Sequence, residues 1–120
     1  MTETRTIAAI ATPPGVGGIA VIRVSGTEAV TITDKAFSGK SSLCNVKSHT
    51  VHYGHIVDNS GMPIDEVLVT VMLAPKSYTG ENVVEIGTHG GLTASKSVLR
   101  RLIEVGAYPA EPGEFTKRAF

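Results

Sequence analysis

Two runs rich in β-branched residues, 50–57 and 64–74, are separated only by Asp58-Asn59-Ser60-Gly61-Met62-Pro63. So short a connection, built of turn-forming residues, joins antiparallel neighbours, because parallel strands need a crossover of a dozen residues or more. A hairpin in the middle of the chain breaks strict βαβ alternation and disfavours a doubly wound fold. Around it, strand and helix signals interleave. Residues 6–12 and 19–25 read as strands, closed by Pro13-Pro14-Gly15 and by Gly26. Thr27 can cap a helix in which Ala29, Val30, Thr33, Ala36 and Phe37 share one face. Residues 38–47 are polar and irregular, which reads as a surface loop. Residues 83–88 form the next strand, and 92–105 an amphipathic helix with Ser95, Val98, Leu99, Leu102 and Ile103 on one stripe and Gly106 at its C′ position. The remainder reads as a short extended piece, a Glu-Pro-Gly turn and the opening of a further element. The expected class is α+β, with a mixed, largely antiparallel sheet and two main helices.

Composition bounds the function. A chain of 120 residues fits one domain with a real core. Eleven basic residues balance eleven acidic ones, so this segment carries no basic footprint for nucleic acid. A single cysteine, Cys44, excludes an internal disulfide framework. No apolar run approaches the ~20 residues that span a bilayer, and the N-terminus lacks a secretory h-region. The expectation is a soluble, cytoplasmic domain with no membrane partner.

Two charges stand out because they interrupt apolar strands: Arg23 in Ile19-Ala20-Val21-Ile22-Arg23-Val24-Ser25, and Glu85 in Val83-Val84-Glu85-Ile86. A charge in such a setting must be paired or hydrogen-bonded. Either the two pair with each other or with local backbone, or both face a polar ligand. A carboxylate can take parallel hydrogen bonds from an aminopyrimidine-type edge, and arginine can fork onto a carboxylate or carbonyl. His89, Gly90 and Gly91 occupy the junction between strand and helix, where free amides favour anions. The competing account is a histidine that merely hydrogen-bonds backbone. Pro13-Pro14-Gly15-Val16-Gly17-Gly18 is either a rigid connection or a loop lining a ligand or partner; it lacks the Gly-x-Gly-x-x-Gly context of a dinucleotide site. Gly39-Lys40-Ser41 imitates the end of a P-loop, but Asp34 stands where the first glycine belongs. His49, His52 and His55 recur every third residue, which on a strand sends His52 to the opposite face from His55. No metal site is expected there.

Taken in order, Ile10-Ala11-Thr12-Pro13-Pro14-Gly15, Gly17-Gly18, Ile22-Arg23-Val24-Ser25-Gly26, Ser77-Tyr78-Thr79-Gly80-Glu81, Val84-Glu85-Ile86, His89-Gly90-Gly91 and Pro112-Gly113-Glu114-Phe115-Thr116-Lys117-Arg118-Ala119-Phe120 form a series. It resembles the N-terminal domain of the bacterial tRNA-modification GTPases called MnmE or TrmE, from about Thr6 to the last residue. The resemblance implies a fold similar to the folate-binding domain of aminomethyltransferase-like proteins, homodimerisation, and binding of 5-formyl- or 5,10-methylene-tetrahydrofolate. It implies that Arg23 and Glu85 contact the folate, with His89, Gly90 and Gly91 as further candidates. It also implies work with the flavoprotein MnmG on the wobble uridine of tRNA, at its 5-position. GTP, magnesium and potassium would belong to a GTP-binding domain whose motifs this sequence does not contain. A family lysine that contacts folate follows the Arg-Ala-Phe motif, and Cys44 does not match the family's C-terminal cysteine. The 120 residues are therefore expected to be one domain of a longer protein and, alone, neither to hydrolyse GTP nor to modify tRNA.

Overall fold

The computed structural model describes residues 5–12, 19–77 and 79–119. The Pro13–Gly18 loop, Tyr78 and Phe120, which the sequence motifs include, lie outside the described residues. Within them, seven strands form one sheet: β1 (Ile7–Thr12), β2 (Ala20–Ser25), β3 (Phe37–Gly39), β4 (Thr50–Val57), β5 (Pro63–Met72), β6 (Val83–Thr88) and β7 (Tyr108–Pro109). Their spatial order is β3-β4-β5-β6-β2-β1-β7. All pairs are antiparallel except β1 with β7, so the sheet is mixed and largely antiparallel as expected.

The hairpin forms as its sequence dictates. The Asp58 carboxylate accepts the amides of Ser60 and Met62 at 2.8 and 2.9 Å, and Gly61 supplies a φ of +84°. Those amides hold the Asp58 carboxyl below its ordinary pKa, Met62 contributing most. Helix α1 (Ala29–Ala36) and helix α2 (Gly91–Glu104) both pack on one face of the sheet. There they meet Ile22, Val24, Val67, Val69, Val71, Val84 and Ile86, all fully buried. Alternation along each strand then sends Arg23, Leu68, Thr70, Glu85 and Gly87 to the opposite face. A third helix, α3 (Glu114–Ala119), is the expected further element.

Four local expectations need correction. Thr27 does not cap α1: the N-cap is Glu28, whose amide is taken by Thr6 Oγ1 at 3.1 Å, so the cap comes from the lead-in to β1. Phe37 does not continue α1 but opens edge strand β3. The supposed loop 38–47 therefore holds the rest of β3 and a 3₁₀ turn, Leu43–Asn45, whose Leu43 is buried in the core. The cause is Gly54, opposite Gly39: a Cβ there would lie 2.6 Å from the Phe37 ring, so two glycines make the room that seats β3. Finally, Ile103 is on the rim of the α2 stripe and 37% exposed, whereas Ser95, Val98 and Leu102 are buried.

Candidate functional site

Arg23 and Glu85 are direct cross-strand partners on β2 and β6, at the centre of the sheet. The antiparallel register puts both side chains on the face without α1 and α2, with Thr70 of β5 beyond Glu85 and Ala9 of β1 beyond Arg23. Arg23 Nε donates to Glu85 Oε2 at 2.9 Å, and Nη2 lies 2.9 Å from the same oxygen. Both contacts fall on Oε2, and a carboxylate has lone pairs for about four donors, so the pair leaves Glu85 acceptor capacity. Side-chain exposure of 23% for Arg23 and 29% for Glu85 keeps the pair within reach of solvent while half desolvating it.

The surroundings are graded from polar to apolar. Two residues beyond Glu85 on the same face stands Gly87, flanked by Leu68. Its φ is not positive, and a Cβ would meet Ile19 Cγ2 at 3.5 Å, an ordinary contact. Nothing within the described chain requires glycine here, although glycine weakens a strand interior. On the other side, the Arg23 guanidinium lies 5.5 Å from the centroid of the Phe115 ring on α3. Arg23 and Phe115, with Ala9, Ala11, Pro112 and Thr116, line a cleft of about 340 Å³ between β1 and α3.

His89, Gly90 and Gly91 lie at the end of β6, and the structure does not bring them together with the Arg23–Glu85 pair. The amides of His89 and Gly90 donate to Asp65 Oδ2 at 2.8 and 3.2 Å, so a carboxylate from β5 already meets the start of α2. His89 Nδ1 donates to the Glu66 carbonyl at 3.0 Å. This is the backbone-bonded junction histidine of the two readings open in the sequence. Asp65→Ala should therefore destabilise the fold by about 1 kcal/mol, the usual cost of a lost cap. Chemical denaturation checks this; an unchanged midpoint would rule out a capping role for Asp65.

Of the histidine triplet, His52 shares a face with Val69 and His55 with Glu66, which are opposite faces of β4. Among the described residues no group of three or more His, Cys, Asp or Glu could hold a metal. Nor is any described helix long and apolar enough to cross a membrane.

The family described as GTP-binding protein TrmE N-terminus matches residues 6–120. The chain belongs to that family. Relatives named tRNA modification GTPase MnmE are 57% identical in Acholeplasma laidlawii, 60% in Lacticaseibacillus paracasei and 58% in Listeria innocua. These alignments cover 97%, 96% and 98% of this chain. The chain spans only about a quarter of those relatives' length, 25–26%.

The TrmE N-terminal motifs thus include residues whose roles spacing alone did not single out. Phe115 and Arg118 sit in the last motif, on α3, and Arg118 meets Glu81 and Ser25 of earlier ones. Arg118 Nη1 contacts Glu81 Oε1 at 3.0 Å and the Ser25 carbonyl at 3.4 Å, while Nη2 contacts Glu114 Oε2 at 3.2 Å. The Glu114–Arg118 spacing of four was the one signal in the sequence, because such a pair marks a helix.

Proposed function

We propose that this chain is the tetrahydrofolate-binding and homodimerisation domain of a tRNA-modification GTPase. With MnmG, that larger protein would modify the wobble uridine of tRNA at its 5-position, using a one-carbon unit from the folate. Membership of the TrmE N-terminal family and relatives named for tRNA modification support the coarse part. GTP, with magnesium and potassium, would be handled by a further domain.

The observation that carries the folate reading is the Arg23–Glu85 pair, part-exposed on the sheet face away from α1 and α2, beside a glycine that packing among the described residues does not require. Glu85, with acceptor capacity beyond its arginine, suits the adjacent N–H donors of a pterin edge. Gly87 leaves the floor beside it flat, as glycine does where a ligand approaches a strand closely. On the same face, Ile19, Val51, Tyr53 and Leu68 are each between 44% and 59% exposed. Exposed apolar side chains gathered on one face favour a protein partner, here a second copy of the chain. The direct ion pair itself favours a second reading, in which Arg23 and Glu85 are purely structural within a dimerisation module.

Calorimetric titration with 5-formyltetrahydrofolate separates the two. Saturable heat is expected with the folate and none with GTP, and sedimentation should return a dimer. Absence of heat at millimolar folate would discard the ligand reading and leave the structural one.

A further inference from the structure

Helix α3 is too small to hold itself in place. It has six residues, none of them buried, and isolated helices of that length are unstable in water. Its start is closed locally: Glu114 Oε1 accepts the Glu111 amide at 2.9 Å, and the Glu114 amide donates to the Glu111 carbonyl at 3.0 Å. Arg118 ties α3 to the sheet through polar contacts. Its guanidinium joins Glu114 on its own helix to Glu81, which leads into β6, and to the carbonyl of Ser25, which ends β2.

The anchor is itself held. Glu81 Oε1 accepts Ser25 Oγ at 2.9 Å, and Ser25 Oγ lies 2.7 Å from Thr79 Oγ1, both residues being buried. The end of the strand that carries Arg23 and the lead-in to the strand that carries Glu85 therefore form the socket for Arg118. One turn before Arg118 on α3 is Phe115, whose ring covers the Arg23 guanidinium and walls the cleft.

We propose that Arg118 is a positioning residue for the ligand site: by locking α3 onto β2 and β6 it holds Phe115 over Arg23, and so fixes the guanidinium against Glu85. Arg118 acts through Phe115 and touches no ligand itself. A planar fork is needed because two carboxylates and a carbonyl must be met from one side chain, which lysine's single ammonium cannot reproduce. For its ligand readout the proposal rests on the folate reading above.

The test uses Phe115→Leu, Arg118→Gln and the double variant of this chain, with two readouts. The first is the Arg23 Nε–H resonance in an NMR spectrum, which the Phe115 ring current displaces; both single variants should abolish that displacement. The second is 5-formyltetrahydrofolate affinity by calorimetry. Each single variant should lose about five- to tenfold, the size of a partly desolvated cation–π contact. The double variant should lose no more than either alone, because the residues act in series. Arg118→Lys should stay as weak as Arg118→Gln. An Arg23 resonance unmoved by Arg118→Gln, or losses that multiply in the double variant, would overturn the proposal. Should the wild type show no folate heat, the folate reading fails, and the Arg23 resonance alone decides the role of Arg118. Glu114→Gln, which withdraws the carboxylate charge from Arg118 Nη2 while keeping an oxygen for the Glu111 amide, serves if Arg118→Gln does not fold. The Arg23 displacement should then shrink, and an unmoved resonance would overturn the proposal.

Discussion

Gly26→Ala is expected to cost about 3 kcal/mol or more of stability, through one added methyl group. Gly26 follows β2 with a φ of +148°, where an L side chain is strained by roughly 1–3 kcal/mol. A Cβ would also stand 2.4 Å from Thr6 Oγ1 and 2.6 Å from Thr6 Cα. The second of these is backbone, so a rotamer change cannot relieve it. Thr6 cannot retreat without losing its bond to the Glu28 amide, and with it the start of α1. Gly26 is held from the other side too, its amide donating to the Asn82 carbonyl at 2.9 Å just before β6. The strain would therefore spread to β1, α1 and the lead-in to β6 together. Urea unfolding followed by circular dichroism measures this as a fall in midpoint. Gly61→Ala is the control: its φ is +84°, but no atom lies within 4 Å of the added Cβ, so only the backbone term remains. Equal losses for the two variants would show that the collision with Thr6 contributes nothing.

The contrast between those glycines bears on what a sequence makes legible. Strand and helix positions followed from period and punctuation, because Val67, Val69 and Val71 or Val98 and Leu102 face a core that burial alone organises. The pairing of Arg23 with Glu85 was foreseeable as a need, since each lone charge in an apolar strand demands a partner, but their register depends on β2 and β6 being neighbours. Strand β3 was missed because its signal is distributed: Phe37 and Gly39 mean little until Gly54, fifteen residues later, lies opposite. Asp65 was missed for a related reason. Its capping role joins β5 to α2 across 24 residues, and no local pattern encodes that. The Arg118 socket needs three separate segments, the end of β2, residues 79–81 and α3, and is visible only in three dimensions.

Glu85→Ala and Gly87→Ala should part company in stability while agreeing in ligand affinity, and this opposition is the strongest check on the candidate site. Removing Glu85 leaves Arg23 half-buried without the carboxylate that both its Nε and Nη2 contact, a loss of about 1–3 kcal/mol. Folate affinity should fall by roughly one to two orders of magnitude, because a charge-assisted contact to the ligand disappears as well. Gly87→Ala adds a methyl group that meets its neighbours at ordinary distances, in a backbone conformation any residue tolerates. Stability should hold or rise by about 0.5 kcal/mol, since alanine has less chain entropy to lose on folding. The methyl group nevertheless stands on the floor two residues from Glu85, where a flat ring would have to lie, so affinity should drop at least about tenfold. A purely structural ion pair predicts something different: Glu85→Ala destabilises, and Gly87→Ala changes nothing that calorimetry can read. Denaturation and folate titration of the two variants decide between these patterns. A Gly87→Ala protein that is stable and binds folate like wild type would remove the reason for reading this face as a ligand floor.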